Sequence, residues 1–197
     1  MKQIIRTLGV WVLLLVSGAV FAASSAAEKE QERAEIRKTS TEVLSRLYKE
    51  QPAAKKAVES AAGYATFSNF GMKILVAGSG TGKGIAVKKG SKEIFMKMAE
   101  VQAGLGFGIK KFNLVFVFQN AAAFDRFVNS GWESSAQATA AATDGKKGGS
   151  YAGAISLGNG VYVYQMTDEG LAAELTVKGT KYYKDDGPGD SPPANLD

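Results

Sequence analysis

The sequence predicts an α+β fold in which N-terminal helices pack on a strongly curved, mostly antiparallel sheet or barrel with one inserted helix. Three observations support this prediction. Residues 26–62 carry apolar side chains at helical spacing, and residues 63–183 consist mainly of short strand patterns. Glycine or alanine also recurs at every second position in three of these strands, which favours tight packing and strong curvature.

The N-terminal part is expected to form two helices. Residues 26–51 have one narrow apolar stripe, formed by Ile36, Val43, Leu44, Leu47 and Tyr48. Pro52 then ends this helix or starts the next one. Residues 53–62 form a short alanine-rich helix, which Gly63 ends. We expect this second helix to pack against the small-residue faces of the sheet.

The first strands follow directly. Residues 63–67 are expected to be a short strand and residues 68–73 a loop. The next strand, 74–87, places four glycines at period two on one face, which indicates close approach of neighbouring groups. Residues 94–99 form a further short strand.

The centre of the chain combines two strands with the inserted helix. One strand alternates glycine and apolar residues as far as Ile109, and Lys110 and Lys111 then interrupt it. Residues 112–119 are apolar on both faces, so this strand is expected to be central and covered on both sides. Asn120 is the expected N-cap of the helix that follows.

Four strand patterns, 132–143, 151–157, 161–166 and 171–178, and a tail complete the chain. Residues 132–143 alternate alanine with other residues and favour a strand, with a helix as the alternative. The Asn-Gly turn at 158–160 indicates a hairpin, and residues 171–178 a last strand. Residues 184–197 are rich in proline and acids and are expected to be disordered. The domain therefore spans residues 23–183.

Residues 1–22 have the pattern of a secretory signal. Lys2 and Arg6 precede the apolar run 9–16, and Ala22 satisfies the small-residue rule for cleavage. An uncleaved membrane anchor is the alternative, although the run is short for a spanning helix. We therefore expect a periplasmic or secreted protein, whose formal net charge falls from +5 to +3 once Lys2 and Arg6 are removed.

The composition disfavours most enzyme classes. The chain has no cysteine and no histidine, which removes thiol chemistry, disulfides and the usual general base near neutral pH. The glycine-rich run 77–84 fails as a phosphate-binding loop, because Ala77 stands where glycine is needed and Gly84 where serine or threonine is needed. Residues 148–152 resemble a nucleophile elbow only in part. We expect no enzymatic activity and no cofactor.

Basic residues are the more informative feature. Seven lysines lie between positions 83 and 111, against two glutamates. Five of them fall at predicted strand ends and would form a cationic rim if those ends are adjacent: Lys88, Lys89, Lys92, Lys110 and Lys111. Such a rim would attract an anionic membrane surface. The alternative is that they are ordinary solvated turn lysines, and the small net charge argues against nucleic acid.

Several short motifs, in this order, resemble the SYLF domain, also called the yeast-type actin-binding domain family. They are GYATF at 63–67, the glycine run to position 84, FVF at 116–118, AFDRF at 123–127, SGWE at 130–133, DEGL at 168–171 and KGTK at 178–181. The resemblance covers roughly residues 43–183. Two departures are Ser68, where the family often has proline, and residues 71–76, which lack the usual extra glycines.

The resemblance implies a lipid-binding module. Eukaryotic members of the family bind phosphoinositides through an amphipathic N-terminal helix and basic residues, and some bind actin filaments. Bacterial members are exported or lipid-anchored, so binding of anionic lipid is the property that carries over. By this resemblance the helix 36–48, Lys55 and Lys56 also become candidates for membrane contact, with core packing of that helix as the alternative.

The combined hypothesis is a non-enzymatic periplasmic module that binds anionic phospholipid head groups or a membrane surface through lysines. Its candidate lipid-binding residues are Lys88, Lys89, Lys92, Lys110, Lys111, Lys55 and Lys56. The alternative is a structural or protein-interaction module of the cell envelope, with an envelope protein as its partner.

Overall fold

The computed structural model describes residues 2–74, 77–103, 108–130, 132–133, 149–172 and 180–186. The chain divides into two compact units, Met1–Arg37 and Lys38–Asp197. In the first unit, Arg37 pairs with Glu30 at 2.9 Å on the surface of a helix. The second unit contains the sheet, and the alternating-alanine segment 132–143 lies almost entirely outside the described residues.

Helix α1 spans Lys2–Glu50, so it begins well before the expected start at residue 26. Its last turn is closed by the Gln51 N–H, which donates to the Leu47 carbonyl at 2.7 Å. Helix α2 spans Pro52–Ser60 and has its proline in the first turn, where the missing N–H is not needed. None of the described helices offers an apolar stretch that would span a lipid bilayer.

The described residues contain nine strands, all paired antiparallel in one strongly curled sheet. They are β1 Gly63–Ile74, β2 Ala77–Lys88, β3 Ile94–Ala103, β4 Gly108–Phe118, β5 Trp132–Glu133, β6 Ile155–Gly158, β7 Val161–Thr167, β8 Gly170–Leu171 and β9 Thr180–Lys184. The order is β5-β9-β3-β2-β1-β4-β7-β6, with β8 beside β7. Helix α3, Ala121–Ser130, lies between β4 and β5 in the chain. The predicted α+β class is confirmed.

One face of the sheet, here called the α3 face, carries an aromatic core. Phe124, Phe127 and Val128 of α3 are buried against the strands. Phe127 meets Phe116 with ring centroids 5.2 Å apart, and Phe67 meets Tyr182 at 4.9 Å. Aromatic pairs of this kind contribute about 0.5–1.5 kcal/mol each beyond the burial of their area. This core fixes α3 on the sheet.

The opposite face, here called the helix-pair face, is covered by the last turns of α1 and by α2. Val43, Leu47, Ala54 and Val58 from these helices form one buried cluster with strand residues. Those strand residues come from β1, β4 and β7, namely Tyr64, Val115, Val117, Tyr162, Tyr164 and Met166. A buried hydrogen bond from Thr66 Oγ1 to Ser40 Oγ, 2.7 Å long, joins β1 to α1. The apolar stripe of residues 36–48 is therefore packed in the core at Val43 and Leu47.

The first strand is longer than predicted. Residues 68–73, expected to be a loop, belong to β1, which pairs with β2 and β4 on its two sides. Ser68 pairs with Lys83 and Asn113, and Gly71 with Gly80 and Lys110. Two long neighbours satisfy the backbone groups of this polar segment, which local sequence preference could not indicate.

The prediction that the alanine-rich helix covers the glycine face is wrong. Gly82 and Gly84 lie on the α3 face, whereas α2 belongs to the helix-pair face. A Cβ at Gly82 would meet the Met98 side chain at 2.6 Å, so strand side chains fill the space. Gly63 is not the residue that ends α2: it starts β1, where a Cβ would lie 2.5 Å from the Phe124 ring.

Later in the chain, three strand boundaries differ from the prediction and one hairpin is confirmed. Lys110 and Lys111 do not interrupt a strand, because β4 runs through them from Gly108. The hairpin at 158–160 is confirmed, with Asn159 at a φ of 51°. The sequence prediction missed β9, whose last residue, Lys184, was assigned to the tail. Of the expected strand 171–178, only its first residue lies in a described strand, β8.

Candidate functional site

The turn between β2 and β3 places lysines at one end of the sheet. The Ser91 N–H donates to the Lys88 carbonyl at 3.0 Å, which closes a tight turn. Gly90, with a φ of 76°, occupies the left-handed position within this turn. Lys89 and Lys92 are exposed. The turn therefore presents two ammonium groups to solvent.

The end of α2 lies beside this turn. The Ala62 N–H donates to the Phe118 carbonyl at 2.9 Å, and the Ala62 carbonyl accepts from the Lys89 N–H at 3.0 Å. Lys55 and Lys56 of α2 are exposed. The fold thus brings two of the predicted lysine groups to one end of the sheet. We call Lys55, Lys56, Lys89 and Lys92 the turn-end lysines.

Two half-buried tyrosines accompany the turn-end lysines. Burial raises the pKa of Tyr48 to about 12, and the charges of Tyr64 and Glu59 add to this effect. Burial also raises the pKa of Tyr64, with a further contribution from Glu93. Both phenols are therefore neutral at physiological pH. Glu59, which acts on Tyr48, lies in α2, and Glu93, which acts on Tyr64, lies just before β3. The two tyrosines therefore lie near α2 and the start of β3.

Lys88 has a different environment from the turn-end lysines. Its Nζ lies 2.8 Å from both carboxylate oxygens of Asp125 on α3. The predicted N-cap of that helix is confirmed, because Asn120 Oδ1 accepts the Ala123 N–H at 2.8 Å. Lys88 therefore links β2 to α3, and Asp125 offsets its charge.

One turn-end lysine, Lys55, is paired with an acidic residue of the same helix. Lys55 Nζ lies 3.9 Å from Glu59 Oε1, and both side chains are more than 60% exposed, at 61% and 63%. Exposed pairs of this kind contribute about 0–1 kcal/mol, so an incoming anion can replace the carboxylate at little cost. Within the described ranges, no three His, Asp or Glu side chains gather as a metal-binding group.

Lys110 and Lys111 lie far from the turn. Lys88 pairs with Gly63 at one end of β1, and Lys110 pairs with Gly71, eight residues further along. At about 3.3 Å per residue, this separation is on the order of 26 Å. The strand ends that carry Lys88 and Lys110 are not adjacent, so the condition for one continuous rim of five lysines is not met. Lys111 is exposed at the opposite end of the sheet.

Two matches to known proteins bear on this arrangement. Residues 99–187 match the family model Ysc84, described as "Las17-binding protein actin regulator". The chain is also 33% identical over 143 residues to "Beta cell expansion factor A" of Aeromonas veronii, a match that covers 72% of this chain and 53% of that protein.

The chain carries a Ysc84 (SYLF) family domain match within residues 99–187. The resemblance seen in the sequence is thereby confirmed. The chain spans about half the length of the curated relative that it matches. The Ysc84 family is a family of binding modules with lipid and actin-related partners.

The Ysc84 match includes only part of the lysines discussed above. Lys110 and Lys111 fall inside residues 99–187, whereas the turn-end lysines precede this segment. The matched segment also contains α3 and β9. The family match therefore includes part of the sheet and its inserted helix. The turn-end surface lies outside the matched residues.

Sequence reasoning also missed a second group of lysines. Lys83, Lys97 and Lys181 lie on the helix-pair face of β2, β3 and β9. Lys83 alternates with the glycines of β2, which was the available signal that it points away from the glycine face. Its grouping with Lys97 and Lys181 depends on strand register, which the sequence does not reveal.

Proposed function

We propose that this chain is a non-enzymatic module that binds anionic phospholipid head groups at the turn-end surface. One observation carries the proposal: four exposed lysines from two separate segments lie at the same end of the sheet as two half-buried tyrosines. Lysine and tyrosine are the residue types that suit a membrane–water boundary, since each combines an apolar body with a polar end.

The expected strength follows from the number of lysines. Each lysine close to an anionic membrane contributes about 1 kcal/mol, so the four turn-end lysines together would supply a few kcal/mol. Salt weakens this attraction, because the screening length falls from about 10 Å at 0.1 M to about 3 Å at 1 M. Binding at the turn-end surface should therefore be strong at low salt and weak at high salt.

We also propose that the chain is exported and acts in the periplasm or outside the cell, in contact with a membrane surface. The support is the charged start with Lys2 and Arg6, the apolar run 9–16 and the small residues that end at Ala22. Mass spectrometry of the N-terminus, on protein recovered from cell envelope and cytoplasmic fractions, tests this: an intact Met1 in the cytoplasmic fraction alone would contradict it.

Co-sedimentation with vesicles tests the lipid proposal. The purified protein is mixed with phosphatidylcholine vesicles and with vesicles that also contain phosphatidylglycerol, over a salt series. We expect binding to the anionic vesicles only, and release as the salt concentration rises. The variant Lys89→Glu/Lys92→Glu should reduce the partition coefficient by about a factor of ten or more, because it reverses two charges at the surface.

The matched control reverses two exposed lysines elsewhere. Lys38→Glu/Lys111→Glu changes the net charge by the same amount, at the start of the second unit and at the far end of β4. An equal loss of binding in both double variants would show that the overall charge, and not the turn-end surface, attracts the vesicles.

If the protein binds no vesicle at low salt, the lipid proposal is wrong. The second candidate function is then a structural or protein-interaction module of the cell envelope. The observation that favours this second candidate is the description of the matched family, which names a protein partner, Las17. Cross-linking in intact cells, followed by mass spectrometry of the linked peptides, would identify such a partner.

A further inference from the structure

We infer that Asn159, in the turn between β6 and β7, is a site of covalent modification in the folded protein. Its side chain cyclises onto the Gly160 nitrogen, releases ammonia and is converted to isoaspartate or aspartate. Water is the co-reactant, and the conversion proceeds without an enzyme. The site shares no residue with the turn-end surface, so it does not rest on the proposed function.

The reaction is an intramolecular displacement at the side-chain amide. The Gly160 nitrogen loses its proton and bonds to Asn159 Cγ, while the bond from Cγ to Nδ2 breaks and Nδ2 leaves as ammonia. The product is a five-membered cyclic imide. Water that opens the imide at the side-chain carbonyl gives aspartate, and water that opens it at the main-chain carbonyl gives isoaspartate, whose backbone runs through Cβ.

The turn has the type I′ conformation and leaves the reacting nitrogen outside the sheet. Gly158 pairs with Val161, so Asn159 and Gly160 are the two central residues. Their φ angles, 51° and 78°, are both positive, as type I′ requires. The strand pairing joins Gly158 to Val161 and does not include the Gly160 N–H. Asn159 is also exposed, so water reaches the imide.

A single peptide flip brings the reacting atoms together. Ring closure requires Asn159 Cβ and the Gly160 nitrogen to be eclipsed about the bond from Cα to the carbonyl carbon, which for an L-residue means a ψ near that of a type II′ turn, about −120°. In the type I′ turn this ψ is about +30°. Rotation of the Asn159–Gly160 peptide converts one turn into the other, and Gly160 accepts the change of its φ because it has no Cβ. Both turns close a two-residue hairpin, so β6 and β7 stay paired.

The side chain of Asn120 opposes this flip. Its Oδ1 caps α3, and its Nδ2 donates to the Asn159 carbonyl at 3.4 Å. A Cβ added at Gly160 would lie 2.6 Å from this Nδ2, so the amide packs directly on the turn. The flip turns the Asn159 carbonyl away and breaks the bond, which is longer than the usual range of about 2.7–3.2 Å and therefore weak. Asn120 thus slows the modification without preventing it.

Isoaspartate at position 159 would detach the turn from α3. It adds one methylene group to the main chain of a two-residue loop, which moves the Gly160 carbonyl from the place where it accepts the Gln119 N–H at 2.8 Å. This bond and the Asn120 bond connect the hairpin to the start of α3. Either product also lowers the formal net charge from +5 to +4. The modified protein is therefore recognisable by its charge.

Peptide mapping of the full chain, kept folded at mildly alkaline pH, tests the inference. Mass spectrometry with electron-transfer fragmentation quantifies isoaspartate and aspartate at position 159 over time. The variant Asn120→Asp keeps a capping oxygen and removes the Nδ2 donor. We expect about fivefold faster conversion in this variant, which corresponds to about 1 kcal/mol, the typical contribution of one hydrogen bond.

The matched control makes the same substitution elsewhere on α3. Asn129→Asp places an equal charge in the last turn of the helix, where Asn129 is exposed and bonds to Lys184 Nζ at 2.8 Å. It should change the rate at Asn159 less than about twofold, because it removes no contact with the turn.

Two results would overturn the inference. One is equal acceleration in the two variants, which would show that the reaction proceeds from an opened chain and not from the native turn. The other is a folded wild-type protein with no product at position 159 after a synthetic peptide of residues 155–163 has reacted completely. This second result is independent of whether any variant folds.

Discussion

Replacement of Gly84 by alanine should strongly destabilise the protein. The new Cβ would overlap the Thr66 carbonyl oxygen and would lie 2.6 Å from Phe67 Cδ1. Thr66 belongs to β1, which is paired on both sides, so its carbonyl cannot move away without breaking the sheet. Phe67 is fully buried between the Phe116 and Tyr182 rings. Overpacking of a core costs about 1–3 kcal/mol, and an immovable backbone oxygen puts this site at about 3 kcal/mol or more.

Urea denaturation measures this cost as the change in the free energy of unfolding. For a chain of this size, 3 kcal/mol corresponds to a fall in melting temperature of roughly 6–12 °C. Gly82→Ala should cost less than Gly84→Ala, because two of its three obstacles are the flexible Met98 Cγ and Sδ and only one is backbone, the Ser68 oxygen at 2.7 Å. Gly90→Ala meets nothing within 4 Å and adds only backbone strain, about 1–2 kcal/mol.

A free energy of unfolding for Gly84→Ala within 1 kcal/mol of the wild-type value, with an unchanged dependence on urea, would contradict this prediction. That result would mean that β1 and β2 can separate locally at little cost. It would also remove the structural explanation of the glycine run 77–84 and reopen the question of why these glycines are present.

The remaining predictions concern single interactions. In a double-mutant cycle of Lys88→Ala and Asp125→Ala, the coupling should stay below about 1 kcal/mol, because both side chains are partly exposed; a larger value would contradict this. Thr66→Val should cost about 1–3 kcal/mol in urea denaturation by leaving buried Ser40 Oγ without its partner, and Ser40→Ala in the same chain should recover part of the loss. The raised pKa of Tyr48 stabilises the fold fully below pH 10, where the unfolded phenol is neutral, and this contribution is lost as the pH rises towards 12. Urea midpoints should therefore fall above pH 10, and less steeply in Tyr48→Phe; equal slopes would refute the assignment.

Elements with strong local signals could be predicted from the sequence. The inserted helix is one example, because Asn120 caps it and Phe124, Phe127 and Val128 form its buried stripe. The hairpin at 158–160 is another, since an Asn-Gly turn requires little from the rest of the fold. In both cases, residues close together in the sequence determine the structure.

Elements that depend on pairing with distant strands could not be predicted in the same way. The second half of β1 contains polar and glycine residues with weak strand preference, and it is a strand because β2 and β4 extend beside it. The separation of Lys88 from Lys110 is likewise a property of register along β1. Sequence alone gives the number of lysines near strand ends, but it does not say which ends meet.

The same register connects the core to the charged surface. In β2, residues 82–84 read Gly-Lys-Gly, with the glycines under the α3-face core and Lys83 on the opposite face. A slip by one residue would bury Lys83 among aromatic rings, where the desolvation of its ammonium costs several kcal/mol. Tight packing at the glycines therefore keeps Lys83 opposite Lys97 on the helix-pair face.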